Sequence, residues 1–220
     1  MRITRGKKVL ATARILLLRT TRWFGQRAIN LHFLANTLTE EDVRTIVDTV
    51  CILSEDHNEP KLVITREKSD PLERCYHLSF FLKALQGKKL LDIMVVCTGG
   101  ILPPQELREY VHCWNVRLPL RSEATHNKKW NDEAFLYFMK EKTVHGEEKI
   151  FEFLISSKKG FTQIMNDLGD SIPPAKVLLT LATTTEDAVF LGDQINQQVL
   201  SRGFLRGNNT EKNHDRWRVD

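Results

Sequence analysis

Apolar positions along the chain fall into short blocks whose spacing changes from one block to the next. Ala28–Leu34 is a compact apolar segment of strand length. Thr39-Glu40-Glu41-Asp42 then opens a helix, with Thr39 placed to cap it and three acids at the positive end of its dipole. Val43, Ile46, Val47, Val50, Cys51 and Leu53 follow at helical spacing, and the polar cluster Ser54–Pro60 ends the run. Lys61–Thr65 reads as a buried strand. Ser69 or Asp70 caps a second helix with Pro71 in its first turn; its apolar face runs from Leu72 to Leu85 and ends near Gly87. Leu91–Cys97 is the next strand, and Thr98-Gly99-Gly100 follows it.

The second half predicts a third helix at about Pro104–Tyr110 and a mostly extended segment from Arg117 to His126, where Pro119 disfavours helix. Residues 131–158 read as one long helical region, carrying Phe135, Phe138, Met139, Ile150, Phe151, Leu154 and Ile155, with Gly146 as a break or kink. Thr162–Leu168 is a short helix, Asp170–Pro174 a turn, Val177–Leu181 a strand, and Glu186–Leu191 a helix ending at Gly192. Strands alternating with helices favour right-handed crossovers and a parallel sheet, so the expected class is α/β. The expected organisation is a basic arm at 1–27, a folded domain at 28–205 and a polar tail at 206–220.

Composition changes this picture little. The 220 residues, 41% hydrophobic and 27% charged, suit one soluble domain with a substantial core. The net charge of +4 is unevenly placed: residues 1–27 hold eight basic side chains and no acid. Such an arm is compatible with a solvated electrostatic contact to nucleic acid or anionic lipid, although nucleic acid is not expected as the main partner. It also reads as an organelle transit peptide, while Val9–Leu18 equally reads as the first packed element. No apolar run approaches the roughly 18 residues of a membrane-spanning helix. The four cysteines lack short paired spacing, so neither a zinc site nor a redox pair is expected, and a reducing, cytoplasmic setting is the default. His112-Cys113 has no neighbouring partner for a metal. No cofactor is expected.

The order of the pieces resembles the ClpP/crotonase superfamily, in particular the proteolytic subunit of the Clp protease. Four stretches carry the resemblance. They are the helix Thr39–Leu53 with the strand Leu62–Ile64; Arg117-Leu118-Pro119 with His126 seven residues after the proline; Gln163–Asp167; and Thr184–Ile195, similar to the family's closing helix and turn. The resemblance covers about residues 27–200. It implies repeated ββα units wound as a spiral, a long handle-like helix, a ring of subunits, a Clp-type ATPase and active Clp subunits as partners, and unfolded polypeptide as substrate. It places His126 at the general-base position and Asp167 at the position that orients the base.

A serine-type peptidase also needs a nucleophile within reach of the base and donors for the oxyanion. The serine is expected a few residues after the strand ending at Cys97, where the sequence is Thr98-Gly99-Gly100-Ile101-Leu102-Pro103-Pro104. Two prolines there remove two backbone N–H groups. Arg66-Glu67-Lys68-Ser69 stands where the family's paired glycines would donate to the oxyanion. Gly99 and Gly100 remain as oxyanion candidates. Thr98 reads as part of a strand-to-helix turn, Cys97 as a core thiol, Ser69 as a cap, and Ser122 lies too far along its strand from His126. The expectation is a non-catalytic ring subunit. An active Clp-type endopeptidase with an unrecognised nucleophile and a crotonase-type acyl-CoA enzyme are the alternatives.

Overall fold

The computed structural model describes residues 7–10, 12–19, 27–35, 37–66, 70–117, 132–139, 146–168, 172–181 and 187–206. Among them are nine strands and six helices, an α/β fold. The chain divides into two compact units, one of residues 1–115 and 131–149, the other of residues 116–130 and 150–220.

In the first unit, β1 (Lys7–Val9) and β2 (Ala13–Arg19) form an antiparallel hairpin, and β2 runs antiparallel to β3 (Arg27–Phe33). Part of the stretch expected as a basic arm is therefore sheet. Ala13 and Ile15, which share one face of β2, are fully buried, and Leu16 on the opposite face is nearly so, so β2 is covered on both sides. Next come β4 (Lys61–Arg66) and β5 (Asp92–Cys97), parallel to β3 and to each other. β6 (Cys113–Arg117) is entered through the His112 N–H, which donates to the Ile93 carbonyl.

Helix α1 (Glu40–His57) joins β3 to β4. It begins as the sequence predicts, with a reciprocal capping box: the Thr39 hydroxyl accepts from the Asp42 N–H, and the Asp42 carboxylate accepts from the Thr39 N–H. It runs four residues past Leu53 and stops at Asn58, which takes the left-handed conformation. A single 3-10 turn, Pro71–Arg74, capped by Asp70, leads into α2 (Cys75–Gln86) between β4 and β5. Strand order rises with chain order, so right-handed crossovers put successive helices on one face. Accordingly α1 packs on α2, and α2 on the short α3 (Gln105–Arg108). Register places Leu31 beside Ile64, and Phe33 beside Arg66, on the face that meets α2, where the Phe33 and Phe81 rings meet edge to face at 5.7 Å.

The long helix expected over 131–158 is overturned. Helix α4 covers only Asp132–Met139, and Glu148–Ile155 is strand β7. Gly146, at φ +75°, precedes the strand. Ile150, Phe151, Leu154 and Ile155 mimic helical spacing because β7 is buried on both faces, which erases the alternation of a half-buried strand. The handle-like helix drawn from that region is thus absent among the described residues. The expected third helix shrinks to one turn, and strand β6 follows it unannounced.

In the second unit, β7 pairs in parallel with β8 (Val177–Leu181), and β8 with β9 (Leu205–Arg206). Helix α5 (Lys158–Leu168) starts four residues earlier than expected, and α6 (Asp187–Arg202) runs straight through Gly192 instead of ending there. Gly203, at φ +73°, closes it. Glu152 in β7 is buried, and it accepts from Arg117 Nε at 2.9 Å and from the Thr180 hydroxyl at 3.0 Å. No helix among the described residues is long and apolar enough to cross a membrane.

Candidate functional site

The carboxyl ends of parallel strands are where α/β folds place their chemistry, because the loops there are free of sheet pairing. At the end of β5 the chain leaves the sheet at Cys97 and turns through Thr98, Gly99 and Gly100. Opposite that turn stands Asp70, which is 4% exposed. One carboxylate oxygen of Asp70 accepts both the Thr98 N–H and the Thr98 hydroxyl, each at 2.6 Å. Its other oxygen accepts the Leu72 N–H at 2.8 Å and so caps the 3-10 turn. Pro71, next in the chain, has no N–H to satisfy. Three donors thus meet a carboxylate whose burial would be costly without them.

The far end of the same loop is anchored as well. Arg108 donates from Nε and Nη2 to the carbonyl of buried Pro103, at 3.0 and 2.8 Å. Its guanidinium lies 4.2 Å from the centre of the Tyr137 ring, and Lys149 Nζ lies 4.5 Å from that centre. The Tyr137 hydroxyl donates to buried Glu147 at 2.6 Å. Burial, and then this neighbouring carboxylate, push the phenol far above its ordinary range. Residues 98–108 are held at both ends by charged side chains.

The candidate nucleophiles fare differently. Cys97 is buried, and burial, reinforced by the Asp70 charge, raises its thiol well above the usual value, so no thiolate forms at neutral pH. Cys113 is pushed up to about 12, first by burial and then by Glu148. Thr98 is exposed, yet its hydroxyl proton is committed to Asp70. Gly99 is buried at φ +73°, a conformation that suits glycine. Gly100 is exposed beside it.

Of the residues matched to the family's base and acid, His126 lies outside the described residues, as do Ser122 and Ser69. The backbone places Asp167 on α5, and its side chain is outside the described set. The structure therefore brings together Thr98, Gly99 and Gly100 with Asp70, and leaves the His126–Asp167 pairing unplaced. His112 accepts the Ile93 N–H on its ring Nδ1 at 3.2 Å, and no group of potential metal ligands occurs among the described residues. Asp70 is the residue that sequence reasoning assigned only half a role. Its capping was legible, but its contact with Thr98, 28 positions away, leaves no local signal.

A second polar pair sits at the ends of β3 and β4. His32 and Thr65 are register partners, with the hydroxyl 2.5 Å from the ring Nδ1. Alternation turns both away from the face that carries Phe33 and α2. No protein-family model matches the chain, and no curated protein matches its sequence.

Proposed function

We propose that this chain is a relative of the Clp proteolytic subunit that does not hydrolyse peptides and acts as a structural or regulatory member of a ring. The observation that carries this reading is the Asp70–Thr98 contact. In the stretch after β5 where the family resemblance calls for a nucleophilic serine, this chain has no serine, and the one hydroxyl there, that of Thr98 at the start of the turn, is bound together with the Thr98 N–H to one buried carboxylate oxygen. A nucleophile needs its proton taken by a base and its oxygen free to attack, and a hydroxyl held by a structural carboxylate supplies neither to the His126 position. The anchored Pro103 carbonyl supports the same reading, since it belongs to a loop held at both ends. The partners implied are further copies or active Clp subunits, a Clp-type ATPase and unfolded polypeptide.

One observation favours a second reading. Thr98 is exposed and its hydroxyl already faces a carboxylate, so Asp70 itself would serve as base for a threonine nucleophile. The test is the solution mass of the purified chain, alone and mixed with an active Clp proteolytic subunit, alongside hydrolysis of a fluorogenic peptide. A ring-sized species without intrinsic hydrolysis is the expected result. Hydrolysis lost on Thr98→Ala would establish the second reading, and a monomer in both samples would remove the first. A thermal shift with acyl-CoA would instead point to crotonase-type chemistry.

A further inference from the structure

Helix α2 presents Tyr76, Phe80 and Lys83 along one stripe, four and then three residues apart. Across from it stand Glu106 of α3 and, just beyond that helix, Glu109 and Tyr110. Together they line an open groove of about 610 Å³. Tyr76 is 79% exposed and Phe80 38%, large aromatic surface for a helix whose other face is fully buried. Lys83, Glu106 and Glu109 have no ion-pair partner among the described residues. An aromatic floor with two acids on one wall and a base on the other suits an aromatic side chain flanked by arginines, with an acid close by.

The chain itself contains such a sequence. Beyond β9, residues 207–220 include Asp215-Arg216-Trp217-Arg218, and Trp217 is their only aromatic residue. We infer that the groove takes the C-terminal segment of a second copy of the chain. Trp217 meets Tyr76, Phe80 and Tyr110; Arg216 and Arg218 meet Glu106 and Glu109; and Asp215 meets Lys83. The inference stands on the groove and on charge complementarity, and does not depend on the ring reading above.

The test uses the full-length chain and a fluorescently labelled peptide of residues 207–220, followed by anisotropy, with sedimentation of the unlabelled protein over a concentration series. Saturable binding is expected, together with self-association that grows with concentration. Trp217→Ala in the peptide should weaken binding about tenfold or more, through loss of the aromatic anchor. Glu106→Arg with Glu109→Arg in the protein should weaken both binding and self-association by a similar factor. These positions are exposed, and an unchanged melting temperature verifies folding. A peptide carrying Arg216→Glu and Arg218→Glu should regain binding to the reversed protein. Absence of saturable binding, indifference to the groove changes, failure of the charge swap to rescue, or a concentration-independent monomer would each overturn the inference.

Discussion

Asp70 and Thr98 lie 28 residues apart in sequence, and a single carboxylate oxygen of one takes both donors of the other at 2.6 Å. The contact ties the end of β4, through the 3-10 turn, to the end of β5. Removing the hydroxyl by Thr98→Val would leave that buried oxygen with one donor fewer. The expected loss is about 1–3 kcal/mol in urea unfolding. Thr98→Ser, which keeps the hydroxyl, should stay within about 1 kcal/mol of the parent. A loss for Thr98→Ser with none for Thr98→Val would show that the methyl group, and not the hydrogen bond, matters at this position.

Glu152 and Arg117 form the other buried charge contact with structural weight. Glu152 is 2% exposed, and its two oxygens bind Arg117 and Thr180 on the neighbouring strands β6 and β8. Arg117→Ala takes away a charged donor to a buried carboxylate and should destabilise the fold by about 1–3 kcal/mol. Arg117→Met combined with Glu152→Leu should cost clearly less, because no carboxylate is then buried. A double-mutant cycle read by chemical denaturation checks this. Additive losses would mean that the two side chains do not couple.

These contacts also mark what the sequence could and could not disclose. Local signals were legible: the Thr39–Asp42 capping box, Asp70 before Pro71, and the apolar run of β5 are all written within a few residues of where they act. Strands β6 and β7 were not legible, since Cys113–Arg117 and Glu148–Ile155 are buried on both faces and lose the alternation that identifies a strand. At the site, the Thr98-Gly99-Gly100 turn was visible as composition. The carboxylate that holds it was not, because pairing across 28 residues is a property of the crossover and not of any local pattern.

Alkaline pH should destabilise the fold through its buried thiols. Burial raises Cys97 and Cys113 above the ordinary thiol value of 9.0, Cys113 to about 12. Unfolded cysteine loses its proton near 9 while the folded thiols keep theirs, so above pH 9 the unfolded state binds fewer protons and stability falls as pH rises. The stabilising contribution is complete below pH 9 and is lost progressively up to about 12 for Cys113. Urea midpoints measured from pH 8 to 11 should decline, and the slope should be shallower in Cys113→Ala whatever its absolute stability. Native Cys97 and Cys113 should also react with a thiol reagent more slowly than the half-buried Cys51 and Cys75.

The acid limb has the opposite sign. The Thr39 N–H and then the Thr39 hydroxyl lower the Asp42 carboxyl below its ordinary 3.8. Its contribution is therefore present above that value and is lost as pH falls through the lower, folded value. Thr39→Ala removes the side-chain half of the capping box and should cost about 1 kcal/mol at neutral pH. Asp42→Asn should flatten the acid dependence of α1 helicity seen by circular dichroism below pH 4. An unaltered acid profile in that variant would assign the transition to other carboxylates.

Gly192 and Gly203 separate two uses of the same residue. Gly192 sits inside α6 with nothing within 4 Å of the place a Cβ would occupy, so it carries the entropic cost of glycine in a helix with no conformational need for it. Gly192→Ala should stabilise the protein by about 0.5–1 kcal/mol. Gly203 has equal space around it but takes φ +73°, which an alanine adopts only under strain, so Gly203→Ala should destabilise by about 1 kcal/mol. Thermal melts of the two variants decide whether α6 ends at Arg202. Were Gly192 the true helix terminus, as its flanking sequence suggests, Gly192→Ala would lower the melting temperature instead.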